Sequence, residues 1–219
     1  MRIGAIADVH ANRPALEAVL ADLPEVDRLV CAGDVVGYNP WPAACVAACR
    51  ERGIVSVQGN HDRAVVTGRT RGLNEMATAG MEYTREQLTA DQREWLAGLP
   101  ETRTLADGRV RIAHGHPDDP DRYVRPAQVS AAMLGEEAWL LLGHTHRQFV
   151  RSVDGGTVLN PGSVGQPRDG DPRAAYAVID LDAETVDTHR VAYEVEAVRE
   201  KVAEVGLPAG VGDRLALGR

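Results

Sequence analysis

Apolar residues in the N-terminal part of the chain follow two alternating rhythms. Arg2 to Ala7 is a short, nearly continuous apolar run that ends in polar residues, which predicts a buried strand. From Pro14 to Leu23, the residues Leu16, Val19, Leu20 and Leu23 recur at spacings of three and four, the mark of a helix with one apolar face. Asn12 and Pro14 stand where a cap and an early helical proline belong. Asp27 to Cys31 reads as a second strand, Trp41 to Arg50 as a second helix and Ile54 to Val57 as a third strand. The order is βαβ, and each strand runs into polar residues at its C-terminal end, the edge at which open α/β sheets bind ligands.

Between about Asn60 and Leu99 the pattern turns helical, with Thr89 and Gln92 spaced as a capping box before Trp95 and Leu96. Strand signals return at Arg109 to Ala113, Trp139 to Leu142, Phe149 to Val153, Thr157 to Leu159, Ala174 to Ile179 and Thr185 to Val191, with Asp154-Gly155-Gly156 as a hairpin turn. These later strands read as antiparallel. Parallel units followed by hairpins predict an α/β fold: a four-layer α/β/β/α sandwich with two facing mixed β-sheets, one domain over residues 1–205. Gly206 to Arg219, rich in turn residues, is expected as a C-terminal surface tail.

Composition narrows the setting. The chain has 219 residues, enough for one large core. Its first residues are apolar for too short a stretch to read as a signal peptide, and no apolar run approaches the roughly 18 residues of a membrane span. Cys31, Cys45 and Cys49 form no Cys-x-x-Cys pair and read as core thiols in a reducing compartment, so a cytoplasmic location is expected. The formal net charge of −8 disfavours long nucleic acids as partners and gives no sign of membrane association. Small anions stay open as ligands, because bound divalent cations reverse a local field. A homodimer is also left open.

Six of the seven histidines fall in short polar clusters after or between predicted strands: Asp8-Val9-His10, Gly59-Asn60-His61-Asp62, His114-Gly115-His116 and Gly143-His144-Thr145-His146, with Gly33-Asp34 as a fifth cluster. Imidazole, carboxylate and amide oxygen together, without thiolate, suit manganese, iron, zinc, nickel or cobalt and argue against a structural zinc site. Asp8-x-His10 and His144-x-His146 would point alternate side chains to one side if their backbone were extended, as at a strand end.

These five clusters in this order, together with Asp34-Val35-Val36-Gly37-Tyr38 and Asn160-Pro161-Gly162-Ser163-Val164-Gly165, resemble the calcineurin-like metallophosphoesterase family, and within it the small bacterial and archaeal phosphodiesterases. The resemblance runs from Asp8 to Arg168. It implies two divalent metal ions, manganese favoured, one on Asp8, His10 and His146, the other on Asn60, His114 and His144, with Asp34 bridging. It implies hydrolysis of small phosphodiesters, nucleotides among them, by a metal-bridging hydroxide, with His61 as a non-ligand that protonates the leaving oxygen and Asp62 holding the His61 ring.

Asn12 and Arg168 are expected to bind substrate from the rim, His116 to face solvent, Tyr38 and Tyr123 to offer faces for a nucleobase, and Trp41 to pack. A phosphomonoesterase or a dinucleoside polyphosphate hydrolase would use the same site, and a non-catalytic metal-binding scaffold is the distant alternative. Phosphate-binding loops of the Gly-x-x-x-x-Gly-Lys type are absent, and Gly162-Ser163-Val164-Gly165 is no nucleophile elbow.

Overall fold

The computed structural model of the chain describes residues 1–70 and 72–219. Arg71, inside the expected helical stretch, lies outside the described residues. The N-terminal third is two βα units and a third strand: β1 (Arg2–Ile6), α1 (Arg13–Asp22), β2 (Arg28–Cys31), α2 (Pro42–Glu51) and β3 (Val55–Ser56). Asn12 caps α1 by accepting from Ala15 N, with Pro14 in the first turn. β1 and β2 run parallel, Ile3 opposite Arg28 and Ile6 opposite Cys31, and β3 continues the parallel set beside β2.

The middle of the chain forms α3 (Asn60–Thr67), α4 (Glu75–Gln87) and α5 (Ala90–Ala97), the last with the Thr89–Gln92 capping box in place. A second sheet follows, made of β4 (Thr102–Leu105), β5 (Val110–Ala113), β6 (Trp139–Leu141), β7 (Phe149–Val153) and β8 (Gly156–Asn160), ordered β4-β5-β6-β8-β7. Then β9 (Ala174–Asp180) and β10 (Thr185–Val191) return to the first sheet, antiparallel beside β1, giving the order β10-β9-β1-β2-β3.

Both sheets are mixed, and the expectation that the later strands are antiparallel holds only in part. β5, β6 and β8 run parallel, because residues 114–138 cross over between β5 and β6, and β7 is a hairpin that folds out to the edge beyond β8. β4 gave no strand signal, since nearly all of its positions are exposed and polar.

The sheets face each other across an apolar layer in which Ile3, Ala5 and Ala7 meet Val110, Ile112 and Leu141. Alternation along β1 turns Ile6 the other way, onto α1, α2 and α3, where Leu16, Cys45 and Val65 are buried with it. The three thiols sit in or beside this layer as free, buried groups, and burial pushes the Cys49 thiol up to about 12. On the outer face of the second sheet, Leu140, Leu142 and Val158 are covered by Val124 and Met133 of the 114–138 crossover. This fourth layer is thin, because its regular structure amounts to two 3-10 turns, Pro126–Gln128 and Ala131–Met133.

The C-terminal segment is a correction. After α6 (Val195–Glu204), the expected tail forms α7 (Gly210–Asp213) and a 3-10 turn, Leu215–Leu217. Val211 and Leu215 are fully buried against Val198 and Val202 of α6 and share that cluster with Tyr38. A turn-rich composition concealed two apolar anchors spaced four residues apart.

Candidate metal centre

The polar clusters meet where the C-terminal edges of β1, β2 and β6 open. Beyond β1 and β2 the chain does not stay extended: φ is 52° at Asp8, 46° at His10, 55° at Asp34, 66° at His144 and 56° at His146. The extended geometry expected for the two Asp/His-x-His elements is therefore corrected. These five ligand-type side chains are each carried by a left-handed residue, at a cost of roughly 1–2 kcal/mol apiece. Such outliers cluster where surrounding bonds over-determine them. Here Asp8 N donates to Gly33 O at 3.0 Å, His10 N to Asp34 O at 2.9 Å and Ala11 N to Val35 O at 2.9 Å, so the two loops keep pairing past the ends of their strands.

The Asn160–Gly165 loop, already part of the family resemblance in the sequence, clamps them. Ser163 Oγ donates to Asp8 O at 2.7 Å, and Asn160 Nδ2 donates to Gly143 O at 2.6 Å, which fixes the backbone before His144. Asn39 Nδ2 donates to His10 O at 2.9 Å. Close approach also explains Gly59, where a Cβ would stand 2.0 Å from Asp34 Oδ1. The Asn160-Pro161-Gly162-Ser163 motif was the sequence signal for this clamp; Asn39 gave none.

Within this frame the side chains fall into two donor groups. Asp8, His10, Asp34 and His146 present ligand atoms within 4.8 Å of one another, and so do Asp34, His114 and His144. Asp34 belongs to both. Asn60 joins the second group, its Oδ1 3.0 Å from His114 Nε2.

Hydrogen bonds on the far side of three of the rings settle which nitrogen faces inward, whereas His144 is bonded through Nε2, to Asp121 O at 3.1 Å. His10 Nδ1 donates to Val36 O at 3.1 Å, His114 Nδ1 to Ala32 O at 2.7 Å and His146 Nδ1 to Gln166 O at 2.6 Å. A neutral ring that donates through Nδ1 carries its lone pair on Nε2. Burial drives the pKa values of His10 and His146 well below the usual imidazole range, so both are neutral, and their Nε2 lone pairs face each other 2.9 Å apart. Asp8 Oδ2 and Asp34 Oδ2 are buried with no hydrogen-bond partner among the described residues. Facing lone pairs beside unpartnered carboxylate oxygens are costly unless a cation lies among them. The residues fit divalent metal on that ground.

The protonation pattern points the same way. Burial raises the Asp8 carboxyl to about 7. Burial alone would also raise Asp34 and lower His114, but their mutual attraction prevails: Asp34 falls well below the carboxylate range and His114 rises to about 9. Without metal, a proton on His114 thus supplies the positive charge that Asp34 needs. His144 is lowered to about 4 by burial and stays neutral.

The other expected site residues divide. His61 is buried beside the donor groups, its ring centroid 4.8 Å from that of His10, and its backbone N donates to Asp34 Oδ1 at 2.8 Å. Its Nδ1 is enclosed without a partner, and the ring lines the open cleft. Asp62 does not hold that ring, which corrects the expectation. Its Oδ2 reaches back to the start of α3 and accepts from Gly59 N at 2.9 Å, as a carboxylate three residues into a helix does, and its Oδ1 accepts from Val36 N of the loop after β2 at 3.1 Å.

Asn12 is likewise no rim residue. It is fully buried, with Oδ1 on Ala15 N and Nδ2 donating to Gly165 O at 2.9 Å, so its amide is spent on the cap and the clamp loop. Arg168 does reach the cleft, a space of about 570 Å³ that Asn60, His61 and His144 also line, with Arg63 and Arg69 on its walls. His116, expected to face solvent, is partly buried and accepts from Asp118 N at 3.2 Å through Nδ1. Trp41 packs beside the C-terminal cluster. Tyr38 is buried with its edge against His10, leaving no free face, whereas Tyr123 stacks on His144 at 4.0 Å and is 46% exposed.

The chain is similar to known proteins over its whole length. Residues 1–184 match the model of the calcineurin-like phosphoesterase superfamily domain. The crystal structure of a metallophosphoesterase from Sphaerobacter thermophilus is similar with a TM-score of 0.89 and 38% identity, covering 100% of this chain and 99% of that one. An uncharacterised protein of Methanocaldococcus jannaschii is 31% identical across 99% of this chain and 98% of its own length. Phosphodiesterase YfcE of Escherichia coli K12 is 27% identical across 85% of this chain and 91% of its own.

Proposed function

The chain belongs to the calcineurin-like phosphoesterase superfamily, and from that we propose that it hydrolyses small phosphodiesters at a pair of divalent ions, manganese favoured. The observation that carries the reading is Asp34, whose carboxylate belongs to both donor groups and has one oxygen left unpartnered. Asp8, His10 and His146 would hold one ion and Asn60, His114 and His144 the other, with Asp34 shared. Such a pair supplies a nucleophilic water at neutral pH and offsets the charge that builds on the phosphoryl oxygens.

The remaining work falls to the chain. Val36, Ala32 and Gln166 carbonyls lock three histidine rings in the tautomer that presents Nε2. His61 hydrogen-bonds neither donor group through its ring, lines the cleft beside Asn60 and is the group positioned to deliver a proton to the leaving oxygen. Its Nδ1 is walled in near Gly37, so the deliverable proton sits on Nε2. Diester preference is supported by the likeness to phosphodiesterase YfcE.

The test is to measure bound metal per chain and the rate on bis-p-nitrophenyl phosphate with manganese, before and after chelation. The wild-type chain should lose activity with its metal and regain it on reloading. His61→Ala should keep its metal and lose roughly 10²- to 10⁴-fold in kcat. Full activity after complete chelation would overturn the metal reading, and loss of metal from His61→Ala would overturn the proton-donor role.

A further inference from the structure

His144 is held unlike the other three histidines of the donor groups, which donate through Nδ1. Its Nε2 stands 3.1 Å from Asp121 O, and a carbonyl only accepts, so Nε2 donates and the lone pair of the neutral ring lies on Nδ1. That oxygen comes from a turn over residues 116–123, in the crossover after β5, rather than from the loops at the sheet edge. Tyr123, in the same turn, lays its ring on that of His144 at 4.0 Å with 5° between their planes. A hydrogen bond to one nitrogen fixes the direction of that N–H but lets the ring tilt about it. A parallel ring at contact distance removes the tilt.

The turn is braced on both sides. His116 N donates to Arg122 O at 3.0 Å, Arg122 N to Asp119 O at 3.0 Å and Asp119 N to His116 O at 3.0 Å, so its two ends are tied together. Gly115, next to the ligand residue His114, lies so close to it that a Cβ would stand 2.4 Å from Pro120 O and 2.9 Å from Arg122 O. From another wall of the cleft, Arg63 of α3 forms an ion pair with the Asp121 carboxylate. That pair links the helix that carries Asn60 to the turn that orients His144. Tyr123 is 46% exposed and so adds little to the apolar core, and its ring lines the cleft directly over a ligand.

We propose that Tyr123 is a positioning residue for one of the two ions: its ring, together with Asp121 O, holds His144 in the orientation that turns Nδ1 toward Asp34 and His114. The inference rests on the metal-pair reading and adds that the affinity of the ion assigned to Asn60, His114 and His144 is set from outside its ligands. The ion assigned to Asp8, His10 and His146 has its rings fixed by the Val36 and Gln166 carbonyls and should not respond. Groups that orient a metal ligand change affinity by about 10- to 100-fold when removed.

The test is to strip the full chain of metal and titrate it with manganese, counting bound ions and following the exchange-coupled electron paramagnetic resonance signal, which needs both ions on one chain. The wild type should bind two ions and develop the signal. Tyr123→Leu, which keeps bulk without a flat face, should bind one ion as the wild type does and need about 10- to 100-fold more free manganese for the other and for the coupled signal. Tyr123→Phe, which keeps the ring, should match the wild type. The inference is overturned if Tyr123→Leu binds both ions as tightly as the wild type, if it weakens both alike, or if Tyr123→Phe is as weak as Tyr123→Leu. A wild-type chain that takes up a single ion overturns the metal-pair reading and the inference with it, so the wild type tells the two failures apart.

Discussion

Asp8 and Asp34 carry the same functional group into the same buried pocket and are pushed in opposite directions. Burial raises Asp8 to about 7, while Asp34, equally buried, has His114 to stabilise its charge. The sign of the consequence follows from Asp8. Its pKa in the unfolded chain is near 3.8, so in metal-free protein the folded state holds a proton that the unfolded state has released. The stability linked to that proton is fully present below pH 3.8 and is lost as pH rises through about 7. Bound cations would replace this proton, and also the one that His114 keeps because Asp34 lifts its pKa to about 9. The rise in Tm on adding manganese should therefore grow from pH 5.5 to pH 8, and a rise that is independent of pH would contradict the assignment.

At this scale much of the site was legible, because histidine, aspartate and asparagine beside glycine are chemically distinctive wherever they fall. What could not be read was which polar groups face the backbone. Asp62 and Asn12 have the composition of site residues but spend their oxygens on main-chain N–H groups, and such partners are set by tertiary contact.

Among the elements, the βαβ start, the helical cover and most strands follow from apolar spacing, whereas the loops at the strand ends do not. An Asp-x-His triplet after an apolar run looks like more strand, yet φ turns positive at Asp8 and His10 because pairing with the 33–35 loop and the Ser163 clamp outweighs local preference. The same limit hid the C-terminal segment: Val211 and Leu215 are two apolar residues among turn formers, and their burial depends on α6 and Tyr38, distant in the chain. Leu215→Ala should consequently cost about 2–5 kcal/mol in urea unfolding, the range of a buried leucine truncated in a packed core. A cost within about 0.5 kcal/mol, typical of surface positions, would return this stretch to the status of a tail.

In the molecule as a whole, two mixed sheets bury their facing sides against each other, and this packing brings β1, β2 and β6 to end at one edge. Residues as far apart in the chain as Asp8 and His146 then meet with Oδ1 and Nε2 3.6 Å apart. Net charge alone gives the wrong impression of such a surface. The chain carries −8, but the cleft is lined by Arg63, Arg69 and Arg168 and floored by a donor set that fits divalent cations, so a phosphate ester would meet positive charge at the one place it must bind. Arg63 is partly spent on its ion pair with Asp121, whereas Arg168 bonds the neutral Gln166 amide and has no acidic partner among the described residues.

The direct measurement is anomalous diffraction at the manganese edge from crystals grown with manganese. Two peaks roughly 3.5–4 Å apart are expected, one within bonding distance of Asp8, His10 and His146, the other of Asn60, His114 and His144, with Asp34 touching both. A single peak, or a pair that Asp34 does not join, would contradict the account.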